Sequence, residues 1–235
     1  MNEQPLGEAL THRLISRCLP YYEGGDGSHD LDHVERVHRN ALFLGERLGA
    51  RLDILSAAAL LHDIGRPEES ASKGAICHAA RGAELAEPIL RQLNFGTQDI
   101  ELVLHCIRAH RYRGATRPET LEARILFDAD KLDSIGAIGI GRAFLFAGRV
   151  GARLHNPELD PALTKSYSQE DTAYREFQVK LRRVQDRMLT PAGQELARVR
   201  HTFMEDFFAQ LNREFLGPGA DTSDQFLSGE GGTNP

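Results

Sequence analysis

Cysteine is scarce in this 235-residue chain: only Cys18, Cys77 and Cys106 occur. They are odd in number, far apart and form no CxxC pair, which excludes a disulfide scaffold and a zinc ribbon and points to a reducing compartment. No apolar run reaches the ~18 residues that a membrane span needs. Met1-Asn2-Glu3-Gln4-Pro5 shows no basic region leading into an apolar stretch, so no secretory leader is expected and the expected location is cytoplasmic. Positive charge is also short. The 28 Lys and Arg residues face 34 Asp and Glu, a net charge of −6, which argues against binding a nucleic-acid duplex while leaving room for a local basic pocket. No internal repeat is visible.

What is present is helical periodicity. Hydrophobic residues make up 41% and charged residues 26%, ordinary values for a globular protein with a real core. The spacing predicts helices over Gly7–Leu19, stopping at Pro20, and over Asp30–Leu48, with a Gly-rich loop at Glu23–Ser28 between them. Asp53 is the expected N-cap of an apolar helix reaching Asp63, ended by Ile64-Gly65-Arg66-Pro67. Glu68–Lys73 reads as a loop and Ala75–Leu93 as a helix. Thr97 reads as the N-cap of the helix carrying Cys106 and His110, and Pro118-Glu119 as the opening of the next. Gly136–Gly151 reads as a tightly packed helix in which Gly136, Gly139 and Gly141 admit close backbone approach. Val150–Ser166 is a connection, Gln169–Arg187 a charged amphipathic helix, and Thr190-Pro191 the start of a last helix ending near Leu216. Gly217–Pro235, rich in Gly, Ser, Asp and Thr, reads as a disordered tail. The expected fold class is therefore all-α, one domain over residues 1–216 and a tail over 217–235.

His62 and Asp63 directly follow the apolar run Ala57-Ala58-Ala59-Leu60-Leu61. A polar pair at the end of a buried helix is costly unless something compensates it, and a metal ion is one such compensation. Adjacent helical residues point about 100° apart, so both reach one ion only if it lies between them. His33 is a further candidate ligand. His29, four residues earlier, either shares its face, orients Asp30 or closes a loop over the site. Asp130 lies between apolar neighbours on both sides and completes the set. Asp133, three residues on, is a candidate acid holding a ligand or Lys131, while Asp128 turns away. The expected metal ligands are thus His33, His62, Asp63 and Asp130. His12, His38, His155 and His201 read as surface or capping residues, and His105 as core or surface. Imidazole plus carboxylate without thiolate suits a hydrolytic divalent ion, Mn²⁺ foremost, with Mg²⁺, Fe²⁺, Co²⁺ or Ni²⁺ as alternatives.

His33, His62-Asp63 and Asp130 follow the H…HD…D pattern, and their surroundings are closer still. His29-Asp30-(two residues)-His33-(two residues)-Arg36-Val37, Ala58-Ala59-Leu60-Leu61-His62-Asp63-Ile64-Gly65 and Asp128-Ala129-Asp130-Lys131-Leu132-Asp133 resemble the HD superfamily of metal-dependent phosphohydrolases, in its YedJ/YpgQ-type branch. The resemblance runs from about Leu14 to Phe208. It implies an all-α HD-domain bundle that hydrolyses a phosphoanhydride or phosphoester bond of a small phosphorylated substrate, a nucleotide, with a homo-oligomer compatible. Asp63 or Asp133 would take the proton, and Lys131, Arg66, Arg36 and His110 would neutralise phosphate charge. Arg36 has a competing reading as a salt bridge to Asp32 or Asp133. His78 and His110 would contact phosphate, serve as acid, or hold a second ion bridged by Asp63. Some HD branches carry a catalytic Glu soon after the HD pair; here Arg66 stands nearer, with Glu68 and Glu69 only later. Tyr112, Tyr167 and Phe144 are candidate base contacts whose default is core packing. Two other readings share the pattern: a di-iron HD oxygenase, and a non-catalytic nucleotide-binding module.

Overall fold

The computed structural model describes residues 4–22, 30–111 and 116–217, and among these no strand occurs. The helices are α1 (Glu8–Tyr22), α2 (Leu31–Leu48), α3 (Leu52–Leu61), α4 (Arg66–Ala71), α5 (His78–Gln92), α6 (Thr97–Ala109), α7 (Leu121–Leu132), α8 (Gly136–Arg149), α9 (Ala173–Val179) and α10 (Pro191–Leu216). Every residue of α3 except Asp53 is buried. A helix apolar on all sides has to be enclosed, and α1, α2, α6 and α7 enclose it. Burying each of its leucines and isoleucines contributes about 1.5–3 kcal/mol.

The second layer is α8 to α10, with α10 packed on α7 and α8. Its start is fixed from α7. Thr190 caps α10 by accepting from the Gly193 N–H, and the buried Asp128 carboxylate accepts from the Leu189 and Thr190 N–H groups and the Thr190 hydroxyl. A Cβ at Gly193 would lie 2.3 Å from Asp128 Oδ2, so only glycine lets the two helices meet there. Further along α10, Arg200 donates to the Leu132 carbonyl and to Asn40 Oδ1, bracing the last turn of α7.

Several boundaries differ from the sequence-based expectation. Pro20 lies inside α1, which runs on to Tyr22; the proline forfeits one i→i−4 hydrogen bond, and the buried Tyr22, whose hydroxyl donates to the Leu60 carbonyl, holds that turn. Arg51, not Asp53, is the N-cap of α3; Asp53 sits in the first turn, salt-bridged to Arg51. The stretch read as a loop, Glu68–Lys73, is largely α4: Pro67 starts a helix there because the first turn needs no N–H from it, and Glu68 and Glu69 favour the positive helix end. Gly96, not Thr97, caps α6, and Thr120, not Pro118, caps α7 by accepting from the Ala123 N–H. Gln169–Arg187 is not one helix: Thr172 caps the short α9, and two 3₁₀ turns at Leu181–Arg183 and Gln185–Arg187 follow, keeping Leu181, Val184 and Met188 on the core. Gly139 does meet backbone, a Cβ falling 2.3 Å from the Ser134 oxygen, and Gly136 has φ +75°, but Gly141 faces open space. His155 and His201 are buried rather than superficial; His155 Nε2 donates to Asn212 Oδ1, an arrangement made by α10 rather than by any local pattern. Phe144 packs edge-on to Phe207, and Tyr167 to Phe146. The expectations for Glu23–Ser28, His29, Tyr112 and the tail beyond Gly217 lie outside the described residues. No described helix is long and apolar enough to cross a membrane.

Replacing Asp128 by alanine leaves the two buried Thr190 donors and the part-buried Leu189 N–H without their acceptor. The Asp128→Ala protein is expected to lose about 3 kcal/mol of stability in urea unfolding, since each orphaned buried donor costs about 1–3 kcal/mol. A loss under ~0.5 kcal/mol would contradict the capping role.

Candidate metal centre

Five helix ends meet at one place. His33 is in the first turn of α2, where Asp30 caps the helix by accepting from the His33 N–H. His62 is the C-cap of α3 and His110 the C-cap of α6. His78 opens α5, and Asp130 and Asp133 close α7. The four imidazoles form a row, with ring centroids 5.4 Å apart for His33–His62, 5.0 Å for His62–His110 and 5.1 Å for His78–His110. Asp63 lies against all four: Oδ2 is 3.7 Å from Nε2 of both His33 and His62, and Oδ1 is 3.6 Å from His78 Nε2 and 3.5 Å from His110 Nε2. Asp130 Oδ1 is 3.6 Å from His33 Nε2. All seven residues are buried except Asp130, whose side chain is 12% exposed.

The ring orientations follow from where backbone carbonyls run out of partners. A helix leaves its last carbonyls without intrahelical donors. At the end of α3, His62 Nδ1 donates to the Ala59 carbonyl at 2.8 Å and the Tyr22 hydroxyl donates to the Leu60 carbonyl at 3.0 Å. At the end of α6, His110 Nδ1 donates to the Ile107 carbonyl at 2.6 Å. His33 Nδ1 meets Asp133 Oδ2 at 2.7 Å and His78 Nδ1 meets Glu69 Oε2 at 2.8 Å. Each of these oxygens accepts, so each Nδ1 carries a proton, and a neutral ring held in this way presents Nε2 as a lone pair. Four Nε2 atoms and two carboxylates therefore point inward together. His62 Nε2 is buried with no hydrogen-bond partner among the described residues, and His78 and His110 place their Nε2 atoms 3.2 Å apart. Two facing lone pairs at that distance repel unless a cation or a proton lies beside them. Ligand atoms of His33, His62 and Asp130, and again of His62, Asp63 and His110, lie within 4.8 Å of one another. This nitrogen–oxygen donor set fits a divalent cation.

The cationic side chains border the carboxylates. Lys131 Nζ lies 2.6 Å from Asp130 Oδ2, Arg66 Nε 3.0 Å from Asp63 Oδ1, and Arg36 Nε 2.6 Å from Asp133 Oδ1. Asp133 also accepts from Arg142, so both of its oxygens are taken. Arg36 thus makes the ion pair with Asp133. Burial pushes the His62 imidazole down to about 3, against the pull of Asp63, and the His78 imidazole down to about 4. Burial alone would raise the Asp130 carboxyl, but Lys131 and the imidazoles outweigh it and hold it well below the usual range. Tyr22, Glu69, Arg111 and Arg142 escaped the sequence reading. Tyr22 and Arg142 carry no local signal, whereas Glu69 precedes His78 by nine residues across a turn that the sequence presents as loop.

The depressed imidazoles imply a pH dependence in the metal-free protein. The unfolded chain takes up protons near 6.5, whereas folded His62 and His78 stay neutral down to about 3 and about 4. Stability is therefore full above that unfolded value and falls as the pH drops through the interval, by up to about 1.4 kcal/mol per pH unit for each histidine. His38 and His155, lowered chiefly by burial, act in the same direction. Urea midpoints measured in chelator from about pH 7.5 to about pH 5 are expected to decline, and a flat profile would contradict neutral burial of these rings.

Comparison with known proteins bears on this geometry. The HD domain family model matches residues 30–135, the span from the α2 cap to just past Asp133. The Bacillus subtilis protein YpgQ is 36% identical over 202 residues, covering 83% of this chain and 88% of that protein. The crystal structure of YpgQ in complex with ADP superposes with a TM-score of 0.69 at 31% identity, covering 90% of this chain and 96% of that one. An HD-superfamily hydrolase from Bacillus thuringiensis superposes with a TM-score of 0.69 at 30% identity, covering 88% and 97%. With its histidines and aspartates gathered at the helix ends inside the matched span, the chain belongs to the HD superfamily of hydrolases and is similar to YpgQ across most of its length.

Proposed function

We propose that this protein is a divalent-metal-dependent phosphohydrolase acting on a nucleotide, at a phosphoanhydride or phosphoester bond. The observation that carries the reading is the convergence on Asp63 and Asp130 of four imidazole Nε2 atoms whose Nδ1 partners are fixed. YpgQ, a similar protein, has been crystallised with ADP, which favours a nucleotide as the ligand. His33, His62, Asp63 and Asp130 would hold the ion, Mn²⁺ foremost. When bound, the ion would supply Lewis acidity to the phosphoryl group and lower the pKa of an attacking water.

The remaining work falls to the chain's own side chains. Lys131, Arg66 and Arg36 are 19%, 28% and 24% exposed, so each reaches from a buried carboxylate toward solvent. Once Asp130 and Asp63 share their charge with a cation, Lys131 and Arg66 become available to neutralise phosphate oxygens. Asp133, saturated by His33, Arg36 and Arg142, acts through His33 by fixing its ring. Asp63 is then the better proton acceptor of the two aspartates. His78, lowered by burial, offers a lone pair rather than a proton to a phosphate. The 3.2 Å approach of His78 and His110 favours a second reading, in which they hold a second cation with Asp63 between the two.

Asp63→Ala is expected to abolish Mn²⁺ binding in calorimetry and all turnover, with the far-UV circular dichroism unchanged. His155→Ala, which lacks any contact with the histidine row, is expected to keep turnover per folded molecule. The substrate assay is a screen of nucleoside tri-, di- and monophosphates and cyclic dinucleotides with several divalent ions, products identified. Phosphate or pyrophosphate release without oxygen uptake supports hydrolysis. Oxygen-dependent turnover would favour the di-iron oxygenase, and tight nucleotide binding without turnover on any metal the binding module.

A further inference from the structure

We infer that Glu69 is a positioning residue that aims His78 Nε2 into the site and ties Arg66 and Arg111 to the same edge. The inference rests on the proposed function only in taking the histidine row as the working site. Four donors converge on this one carboxylate. Oε2 accepts from His78 Nδ1 at 2.8 Å and from Arg66 Nη1 at 3.1 Å. Oε1 lies 3.3 Å from Arg111 Nη1 and 3.5 Å from the His78 backbone N. The strongest of these contacts are the hydrogen bonds from His78 Nδ1 and Arg66 Nη1, so Glu69 acts through the groups it holds.

The backbone is built to bring it there. After Asp63 the chain turns at Gly65, where a Cβ would lie 2.3 Å from the His78 oxygen and 2.7 Å from the Gly82 nitrogen. Only glycine allows α4 to press against the first turn of α5 so closely. That contact sets Glu69 beside His78 across nine residues of sequence. With Nδ1–H held by the carboxylate, His78 turns its Nε2 to Asp63 Oδ1 and His110. Without that acceptor the ring gains nothing from keeping its proton on Nδ1. Moving it to Nε2 would place a donor toward His110 Nε2 and remove one inward lone pair.

Long-range ¹H–¹⁵N spectra of the imidazoles in the metal-free protein read this directly. In the wild type His78 is expected as the Nδ1–H tautomer. In Glu69→Ala it is expected to move substantially to Nε2–H, with turnover lowered about tenfold or more. Glu69→Gln, which keeps one acceptor, is expected to retain Nδ1–H with its proton resonance moved upfield, and to recover part of the turnover. A folded Glu69→Ala protein with an unchanged His78 tautomer, or with wild-type turnover, overturns the inference. Should Glu69→Ala fail to fold, an unshifted His78 Nδ1 proton in Glu69→Gln overturns it equally. Because the spectra need neither metal nor substrate, failure of the hydrolase reading would show separately, as inactivity of the wild type.

Discussion

The structure depends on how an apolar helix is allowed to end inside a protein. α3 is buried on every side, so its C-terminus is buried too, and carbonyls that water would otherwise satisfy need donors from the chain. His62 gives one to Ala59 and Tyr22 gives one to Leu60. α6 ends in the same way, with His110 donating to Ile107. Each histidine thereby commits Nδ1 to the backbone and turns Nε2 inward. The cation-seeking character of the site is in this sense a by-product of satisfying helix ends.

The two remaining histidines are fixed by carboxylates instead of carbonyls. Asp133 holds His33 and is itself held by Arg36 and Arg142; Glu69 holds His78 and is held by Arg66 and Arg111. A buried carboxylate paired on several sides stays ionised, and removing one partner leaves the others uncompensated in a medium that solvates them poorly. This outer ring is braced from farther out. Arg200 on α10 donates to the Leu132 carbonyl beside Asp133, and Asp128 pins the start of α10 to α7. The second helical layer thus supports the turn that carries two of the site's acids.

Much of the helical framework was legible from periodicity and caps. The helix over the Asp30–Leu48 stretch, the apolar α3, the Gly-rich α8 and the Thr190-Pro191 start of α10 stand where the residues point. The failures share a cause. Pro67 serves as well to begin a helix as to end one, and nothing local says which. Gln169–Arg187 has a helical apolar face, yet the same spacing of Leu181, Val184 and Met188 also suits 3₁₀ turns once the core fixes those side chains. His155 looks like a surface histidine until α10 covers it, and His201, itself on α10, until that helix packs with Phe177 nearby.

By itself the sequence determined that the protein is helical, that His62 and Asp63 close an apolar helix, and that His33, Asp130, His78 and His110 are the residues to watch, because residue type and spacing within an element are local properties. Only the tertiary structure decided which oxygen holds each ring's Nδ1, that Asp133 is bound by His33, Arg36 and Arg142, and that Glu69, Tyr22 and Arg142 stand at the site. Those outcomes depend on hydrogen-bond partners contributed by other helices, and a carbonyl or carboxylate 2.8 Å from an imidazole, as at Ala59 or Glu69, has no signature in the residues that flank it.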